Sequence, residues 1–347
     1  MKTNYFLKKI YSKKTPYFIA EIGINHNGNY QLAKKMISAA KKSGADCVKF
    51  QSLKAEKYIS TFAPKAGYQK KSKNFSSKSQ LEIIRDCEIS ITQLKKLRQF
   101  AKKQKIDFLS TPFEEFSLKE LIDINVDALK ISSCNLTNLP FLKKVSHSKL
   151  PIILSTGMGN FQEIKRAVNI FKKNKNPLIL MQCTSNYPSK LEDANLSVIP
   201  YMKKRFKVPV GYSDHTMGFI SPVVSSVLGA CVIEKHFTLS RKLKGIDQAA
   251  SIEPEELKNL ITQLGYVKRI IGNPSNKPTK DELNTAKALR RSLVSNKNLK
   301  KGHVINRKDI IAKRPGTGFS PSEYNLLVGK KLKKDIKEDE IFNKKHF

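Results

Sequence analysis

The chain has 347 residues, which is enough for one large domain and a smaller second one. Its net charge of +36 raises nucleic acid as a partner, but lysines are spread through almost every predicted helix and no zinc-finger or RNP-like motif occurs. We therefore expect no nucleic-acid partner, and a positive field that attracts small anions. No apolar run reaches the length of a membrane span, no signal peptide follows the basic N-terminus, and the five scattered cysteines form no CxxC pair. These features predict a cytoplasmic protein with reduced thiols and no membrane partner.

Short apolar strands alternate with amphipathic helices over the first 271 residues. The strands are predicted at 17–25, 46–51, 106–113, 126–133, 151–158, 177–188, 209–215 and 232–238, and the helices at 30–43, 92–105, 115–125, 139–148, 161–173, 196–206, 217–229 and 254–271. Eight strand–helix pairs in about 270 residues predict an α/β fold, the (β/α)8 TIM barrel. An open doubly wound sheet is the alternative, but such a sheet more often carries a Gly-rich nucleotide loop, and the sequence has none.

The composition and the pattern of the sequence change after Gly272. Residues 273–289 are polar and contain prolines, which predicts a linker between a barrel at 1–272 and a second domain at 290–347. The second domain consists of short β-like runs separated by glycine turns. It is small enough to have a marginal core of its own.

Polar residues follow the predicted strands where they end, and two of them are histidines. His215 and His236 end consecutive parallel strands, so they are expected side by side at one rim of the sheet. Because side chains alternate along a strand, Ser213 lies on the same face of its strand as His215, and Glu234 lies on the same face as His236. Two imidazoles with nearby carboxylates indicate a divalent metal site; a pair of hydrogen-bonded rim histidines is the alternative.

Two lysines lie within apolar strands. Lys49 in CVKF and Lys130 in ALKI are costly to bury without an anion. Together with the hydroxyls that end several other strands, they predict a clamp for phosphate and carboxylate groups.

Nine stretches resemble the sialic acid synthase family, in order and over almost the whole chain. They are AEIGINHNG (20–28), ADCVKFQ (45–51), LSTPF (109–113), LKIS (129–132), ILSTGM (153–158), CTSNYP (183–188), GYSDHT (211–216), IEKHFT (233–238) and KRPGTG (313–318). The resemblance implies condensation of phosphoenolpyruvate with an N-acylated mannosamine-type sugar. It also implies that the second domain is the family's small β-rich antifreeze-like (SAF) module.

The resemblance implies a role for each matching residue. His215 and His236 would bind a divalent cation, usually Mn²⁺, with Co²⁺ or Mg²⁺ as alternatives, and Glu21 would be the general base. Arg314 would reach the sugar site of the other subunit in a domain-swapped homodimer. The positions that would hold phosphoenolpyruvate are Lys49, Thr111, Lys130, Ser133, Ser155, Ser185 and Ser213, and those that would contact the sugar are Gln51, Tyr187 and Asp247.

Two positions depart from the family pattern. Asn135 stands where an acidic residue is common, which puts a sugar contact in question, and GIDQAAS (245–251) replaces a more usual Gly-Pro-Asp-His start. The segment at 63–72 resembles the branch that uses 2,4-diacetamido-2,4,6-trideoxymannose to make N,N'-diacetyllegionaminate. N-acetylmannosamine, giving N-acetylneuraminate, and a pseudaminate-type sugar are the alternatives. A metal-dependent barrel hydrolase is the competing enzyme class.

Overall fold

The computed structural model describes residues 5–65 and 77–347. The chain divides after Gly272 into two compact units, residues 1–272 and 273–347. No helix in the described residues is long and apolar enough to cross a membrane.

The first unit contains eight parallel strands that close into a barrel. The strands are β1 Tyr17–Gly23, β2 Cys47–Ser52, β3 Asp107–Pro112, β4 Leu129–Ile131, β5 Ile152–Ser155, β6 Leu178–Cys183, β7 Val210–Asp214 and β8 Val232–His236. Their hydrogen-bonded order runs from β3 through β2, β1, β8, β7, β6 and β5 to β4. Because β3 and β4 also lie against each other, the sheet is closed, and the predicted (β/α)8 barrel is confirmed.

Helices surround the strands, and their apolar faces account for their positions. The helices of this unit are α1 Tyr5–Ser12, α2 Tyr30–Lys42, α3 Ala55–Tyr58, α4 Gln80–Arg85, α5 Ile91–Lys103, α6 Glu115–Asp123, α7 Leu139–His147, α8 Phe161–Lys173, α9 Val198–Phe206, α10 Ile220–Val227 and α11 Pro254–Ile271. Ser90 caps α5 and Asn160 caps α8, each through a capping box. In α8 the buried side chains recur at helical spacing, at Ile164, Ala167, Val168 and Phe171.

The barrel interior is apolar at one end and polar at the other. At the N-terminal end of the strands, α1 packs Phe6, Leu7 and Ile10 against a cluster that includes Tyr17 and Ile153. The sequence analysis did not predict this helix. Its eight residues are too few for a stable isolated helix, so the contacts with the barrel hold it in place.

The excursion after β2 carries the short helices α3 and α4. The legionaminate-like segment at 63–72 lies mostly outside the described residues, which resume at 77.

The second unit has its own core. It contains α12 Lys280–Leu289, β9 Ser292–Ser295, β10 Ile310–Lys313 and α13 Tyr324–Leu327, and β9 and β10 pair antiparallel. The core includes Leu293, Leu327 and Phe342. Part of the segment read as a linker is thus helical: Thr279 and Glu282 cap α12 in a capping box, although α12 buries no residue.

Candidate active site

The polar rim of the barrel brings together side chains from all eight strands or the turns that follow them. Strand register places Glu21 beside Lys49 on β2 and beside His236 on β8. Ser213 and Glu234 are likewise neighbours on β7 and β8. One cavity is lined by Glu21, Lys49, Gln51, Thr111, Phe113, Lys130, Ser132, Ser133, Ser155, Cys183, Tyr187, Ser213, His215, Glu234 and His236.

Two buried lysines meet at one carboxylate in this cavity. Glu234 Oε1 lies 3.1 Å from Lys49 Nζ and 3.3 Å from Lys130 Nζ, and it accepts a hydrogen bond from Ser213 Oγ at 3.1 Å. The side chains of both lysines are at most 5% exposed. The anion that makes their burial tolerable is therefore supplied by the protein itself.

Glu21 has weaker partners than Glu234. Its Oε1 accepts a hydrogen bond from Gln51 at 3.1 Å, and its Oε2 lies 3.4 Å from Lys49 Nζ. Burial raises the pKa of Glu21 to about 7, against the opposing pull of Lys49. Burial alone would also raise the pKa of Glu234, but Lys130 and Lys49 hold it at about 2.

The lysines also contact strand-end hydroxyls. Lys130 Nζ donates to Ser155 Oγ at 2.7 Å, and Lys49 Nζ donates to Thr111 Oγ1 at 3.3 Å. Burial lowers the pKa of Lys130, whereas Glu21 and Glu234 outweigh burial and raise the pKa of Lys49. The cavity floor therefore presents two ammonium groups and several hydroxyls, an arrangement that suits an anion with several oxygens.

Gly157 allows two further hydroxyls to come close together. Its N–H donates to Ser133 Oγ at 3.0 Å. A Cβ atom at this position would lie 2.9 Å from Ser133 Oγ and would overlap the hydroxyl of Ser185. The glycine is thus required by close approach, and its loss would displace both serines.

His215 and His236 lie together, with ring centroids 5.5 Å apart, and Tyr187 packs 4.1 Å from the His215 ring. His215 Nδ1 lies 2.7 Å from the carbonyl oxygen of Thr184, so it donates and leaves Nε2 free to accept or to bind a metal.

His236 is also suited to binding a metal. Burial and the neighbouring His215 lower the pKa of His236 well below its usual value, which keeps the imidazole in the neutral form that binds metals. Its Nδ1 is buried without a hydrogen-bond partner and lies 3.9 Å from Asp247 Oδ2.

These features fit a divalent cation held by two imidazoles. In the described part of the chain no group of three His, Cys, Asp or Glu side chains has the arrangement of a metal site. A cation bound here would therefore keep positions for ligands from outside the protein.

Ser185 and Asp247 do not line the cavity, and Arg314 belongs to the second unit. Asp247 is buried beside His236, and burial raises its pKa to about 6. Ser185 Oγ lies 3.9 Å from Cys183 Sγ. Arg314 follows β10 in the second unit, where the Ser292 hydroxyl donates to Pro315 O and accepts from Gly318 N. Ser292 thus holds the loop after Arg314 on both sides.

The two departures from the family pattern have structural explanations. Asn135 is buried, and its Nδ2 donates to Phe113 O at 3.1 Å, a bond that a carboxylate could not form. Gln248, in the altered GIDQ stretch, donates to Asn25 O at 2.8 Å and accepts from Thr238 Oγ1. Both amides therefore tie neighbouring loops together.

The sequence analysis placed Glu234 near the predicted metal site, but it gave neither Glu234 nor Cys183 a role in substrate binding or catalysis. Glu234 carried a signal, because it stands two residues before His236 and so shares its face of β8. Cys183 ends β6, and its Sγ lies 3.9 Å from His215 Nδ1. The contact between His215 and the Thr184 carbonyl could not be predicted from the sequence, because every residue has a backbone carbonyl.

Comparison with known proteins places the chain in a family. It is 44% identical over 332 residues to the N,N'-diacetyllegionaminic acid synthase of Campylobacter jejuni, with 95% of this chain and 99% of that protein covered. It is 42% identical over 330 residues to the synthase of the same name from Legionella pneumophila, covering 94% and 92%. Among solved structures, the N-acetylneuraminic acid (sialic acid) synthetase of Leptospira borgpetersenii, in complex with citrate, matches with a TM-score of 0.70 at 36% identity, covering 78% of this chain and 90% of that one. The NeuB family pattern matches residues 36–276 and the SAF domain pattern matches residues 290–347. The chain therefore belongs to the NeuB family and carries a SAF domain at its C-terminal end.

Proposed function

We propose that this protein joins phosphoenolpyruvate to an N-acylated mannosamine-type sugar, forming a nonulosonic acid and releasing phosphate. The observation that carries the proposal is the pair of buried lysines, Lys49 and Lys130, at the floor of a cavity lined by hydroxyls and imidazoles. Phosphoenolpyruvate carries both a phosphate and a carboxylate, and it would satisfy both ammonium groups at once. Family membership supports the same reading.

In this proposal the cavity floor binds phosphoenolpyruvate. Lys49 and Lys130 exchange part of their contact with Glu234 for the oxygens of the substrate. Hydroxyls then donate to the remaining oxygens, and we assign this part to Thr111, Ser133, Ser155, Ser185 and Ser213. Because these groups are buried and already close together, little reorganisation accompanies binding.

His215 and His236 are the residues that would hold a divalent cation, for which we propose Mn²⁺, with Co²⁺ or Mg²⁺ as alternatives. Such a cation, when bound, polarises the sugar aldehyde as a Lewis acid. The Thr184 carbonyl keeps His215 in the required tautomer.

The bond changes assign a proton acceptor to the site. C3 of phosphoenolpyruvate bonds to the aldehyde carbon, whose oxygen takes up a proton from solvent, and C2 becomes an oxocarbenium-like centre. Water adds at C2 and passes a proton to Glu21, whose pKa of about 7 suits a general base near neutral pH. The tetrahedral intermediate then loses phosphate by cleavage of the bond between C2 and the bridging oxygen, and the C2 hydroxyl gives its proton to the phosphate as the carbonyl forms. Lys49 and Lys130 stabilise the departing charge.

For the sugar we propose 2,4-diacetamido-2,4,6-trideoxymannose, because the two relatives named above are N,N'-diacetyllegionaminic acid synthases. Gln51, Tyr187 and Asp247 are assigned to sugar contacts. The test is phosphate release from phosphoenolpyruvate with this sugar, with N-acetylmannosamine and with a pseudaminate-type sugar, compared by kcat/KM. Highest kcat/KM with either alternative sugar would overturn the choice, and no release with any of the three would overturn the function.

An isotope experiment separates the proposed synthase from a hydrolase. With ¹⁸O in the bridging C–O–P position, C–O cleavage leaves the label in phosphate. Phosphate without the label, formed without a new carbon–carbon bond, would instead support hydrolysis at phosphorus.

We also propose a domain-swapped homodimer in which Arg314 of one copy completes the sugar site of the other. This rests on the family resemblance of KRPGTG (313–318) and on the planar donor fork of arginine. Arg314→Ala should raise the sugar KM far more than that for phosphoenolpyruvate. Mixing inactive His215→Ala with Arg314→Ala should restore activity, because a mixed dimer has one site with both groups intact. No recovery despite confirmed subunit exchange would contradict the arrangement.

A further inference from the structure

The helix α10, between β7 and β8, packs Val223 against the barrel core but otherwise buries small residues and exposes its large aliphatic ones. Its buried positions are occupied by Ser221, Pro222 and Ser225. Its large aliphatic residues point outward: Ile220 is 64% exposed, Val224 41% and Val227 55%. A barrel helix normally turns its large apolar side chains to the strands, as α8 does. Folding of the single chain therefore does not account for this outer face.

The same segment is free of positive charge. No Lys or Arg occurs from residue 208 to residue 234, in a chain with 65 of them. Among the described helices of the barrel unit, α10 alone has neither lysine nor arginine. Exposed apolar surface of this kind, in a chain otherwise covered by charge, marks an interaction site.

The apolar surface extends beyond α10. Met217, just before the helix, is 47% exposed. On the adjacent α11, Ile271 lines one groove with Ser226, and Ile270 and Tyr266 are also exposed. We call the row formed by Met217, Ile220, Val224 and Val227 the α10 face.

We infer that the α10 face is covered by the α10 face of a second copy of this chain. Two copies that each carry +36 repel one another wherever lysines meet. A two-fold contact sets the same patch against itself, so it requires a patch without net charge, and the α10 face is one. An acidic partner protein would be drawn instead to the lysine-bearing helices.

The size of the contact follows from the length of the helix. Eight residues span about 12 Å, and a helix face of that length covers only part of the roughly 800 Å² per partner that a stable interface buries. The contact therefore includes the exposed end of α11. This inference deepens the proposed homodimer by naming its barrel surface, and it rests on that proposal.

The test is the mass in solution by light scattering. The wild-type chain should have twice the mass of 39.3 kDa, and added salt should favour this state by screening the repulsion. Val224→Lys places a charge in the contact and should weaken dimerisation roughly 100-fold or more, giving 39.3 kDa at micromolar concentration. The double variant Ile220→Ser/Val227→Ser provides a milder test should the lysine variant fail to fold.

The matched control is Ile122→Lys, at an exposed aliphatic position on α6. It should leave the dimer intact, and circular dichroism should show native helix content in every variant. A dimeric wild type whose mass is unchanged by the α10 variants would overturn this inference while leaving the homodimer standing. A monomeric wild type would overturn both, whereas phosphate release by the wild type tests the proposed reaction separately.

Discussion

Exchanging Glu21 for glutamine should stabilise the ligand-free barrel while it damages catalysis. Glu21→Gln keeps the size and the acceptor oxygen of the side chain but removes the titrating proton. We expect phosphoenolpyruvate to bind as before and kcat to fall by roughly 100-fold or more, as for loss of a general base. The wild-type rate should rise with pH to a plateau above about pH 7, and the variant should lack this step.

The stability effect follows from the pKa of Glu21. In the folded protein it is raised from 4.5 to about 7, so the folded state holds the proton more tightly than the unfolded state. The free energy of unfolding is therefore unaffected below pH 4.5 and falls as pH rises from 4.5 to about 7. Above about pH 7 it is about 3 kcal/mol lower, at about 1.4 kcal/mol per pKa unit. Glutamine never ionises, so the variant should regain up to this amount at pH 8 and little at pH 4.5.

Glu234 provides a control of opposite sign. Its pKa is lowered from 4.5 to about 2, so ionised Glu234 stabilises the fold above pH 4.5, by about 3 kcal/mol, and that stability is lost as pH falls through about 2. Glu234→Gln should therefore destabilise the barrel at pH 8. The two variants differ only in which carboxylate is replaced.

Thermal unfolding of the ligand-free protein at pH 5 and pH 8 measures both effects. The transition of the barrel unit must be followed, because the chain has two units. At roughly 2 °C per kcal/mol for a domain of this size, Glu21→Gln should raise the Tm by about 5 °C at pH 8 and Glu234→Gln should lower it. Shifts in the same direction, or a gain for Glu21→Gln that is equal at both pH values, would refute the reasoning.

Three further changes test separate parts of the site. Chelation should abolish activity and Mn²⁺ or Co²⁺ should restore it, whereas His215→Ala should stay inactive with added metal; full activity of that variant in chelator would rule out the metal. Gly157→Ala should raise the KM for phosphoenolpyruvate roughly 10- to 100-fold, because its Cβ displaces Ser133 and Ser185. The control Gly265→Ala, whose Cβ meets no atom within 4 Å, should leave that KM unchanged and stabilise α11 slightly, by about 0.5–1 kcal/mol; equal KM values for the two variants would contradict the role of Gly157. Asn135→Asp should lose the hydrogen bond to Phe113 O and lower the Tm by a few degrees, and an unchanged Tm would show that this bond contributes nothing.

The barrel could be predicted from sequence because its signals are local. Each strand is a short apolar run that ends in polar residues, and each helix has a buried face at helical spacing. The helix α12 also carried a local signal, the Thr279–Glu282 capping box, within the segment read as a linker.

The features of the site that could not be predicted from the sequence depend on contacts between residues that are far apart in the chain. Lys49 and Glu234 are separated by 185 positions, so nothing near either residue identifies the other as its counter-ion. The sequence required an anion for each buried lysine, and the resemblance made that anion the substrate. The glycines of the KRPGTG loop show a similar limit. Gly316 is required because a Cβ there would lie 2.6 Å from that of Arg290, a contact that the motif does not reveal.

The different pKa values of Glu21 and Glu234 follow from how many donors each receives. Glu234 Oε1 has two ammonium groups and a hydroxyl within 3.3 Å, and this keeps it ionised and fixed between the lysines. Glu21 has one amide at 3.1 Å and one ammonium at 3.4 Å, too little to offset its burial. Its proton is therefore exchangeable near neutral pH. Two carboxylates whose pKa values are driven apart by their surroundings can divide the work of a site. We therefore propose that Glu234 positions the lysines and Glu21 moves the proton.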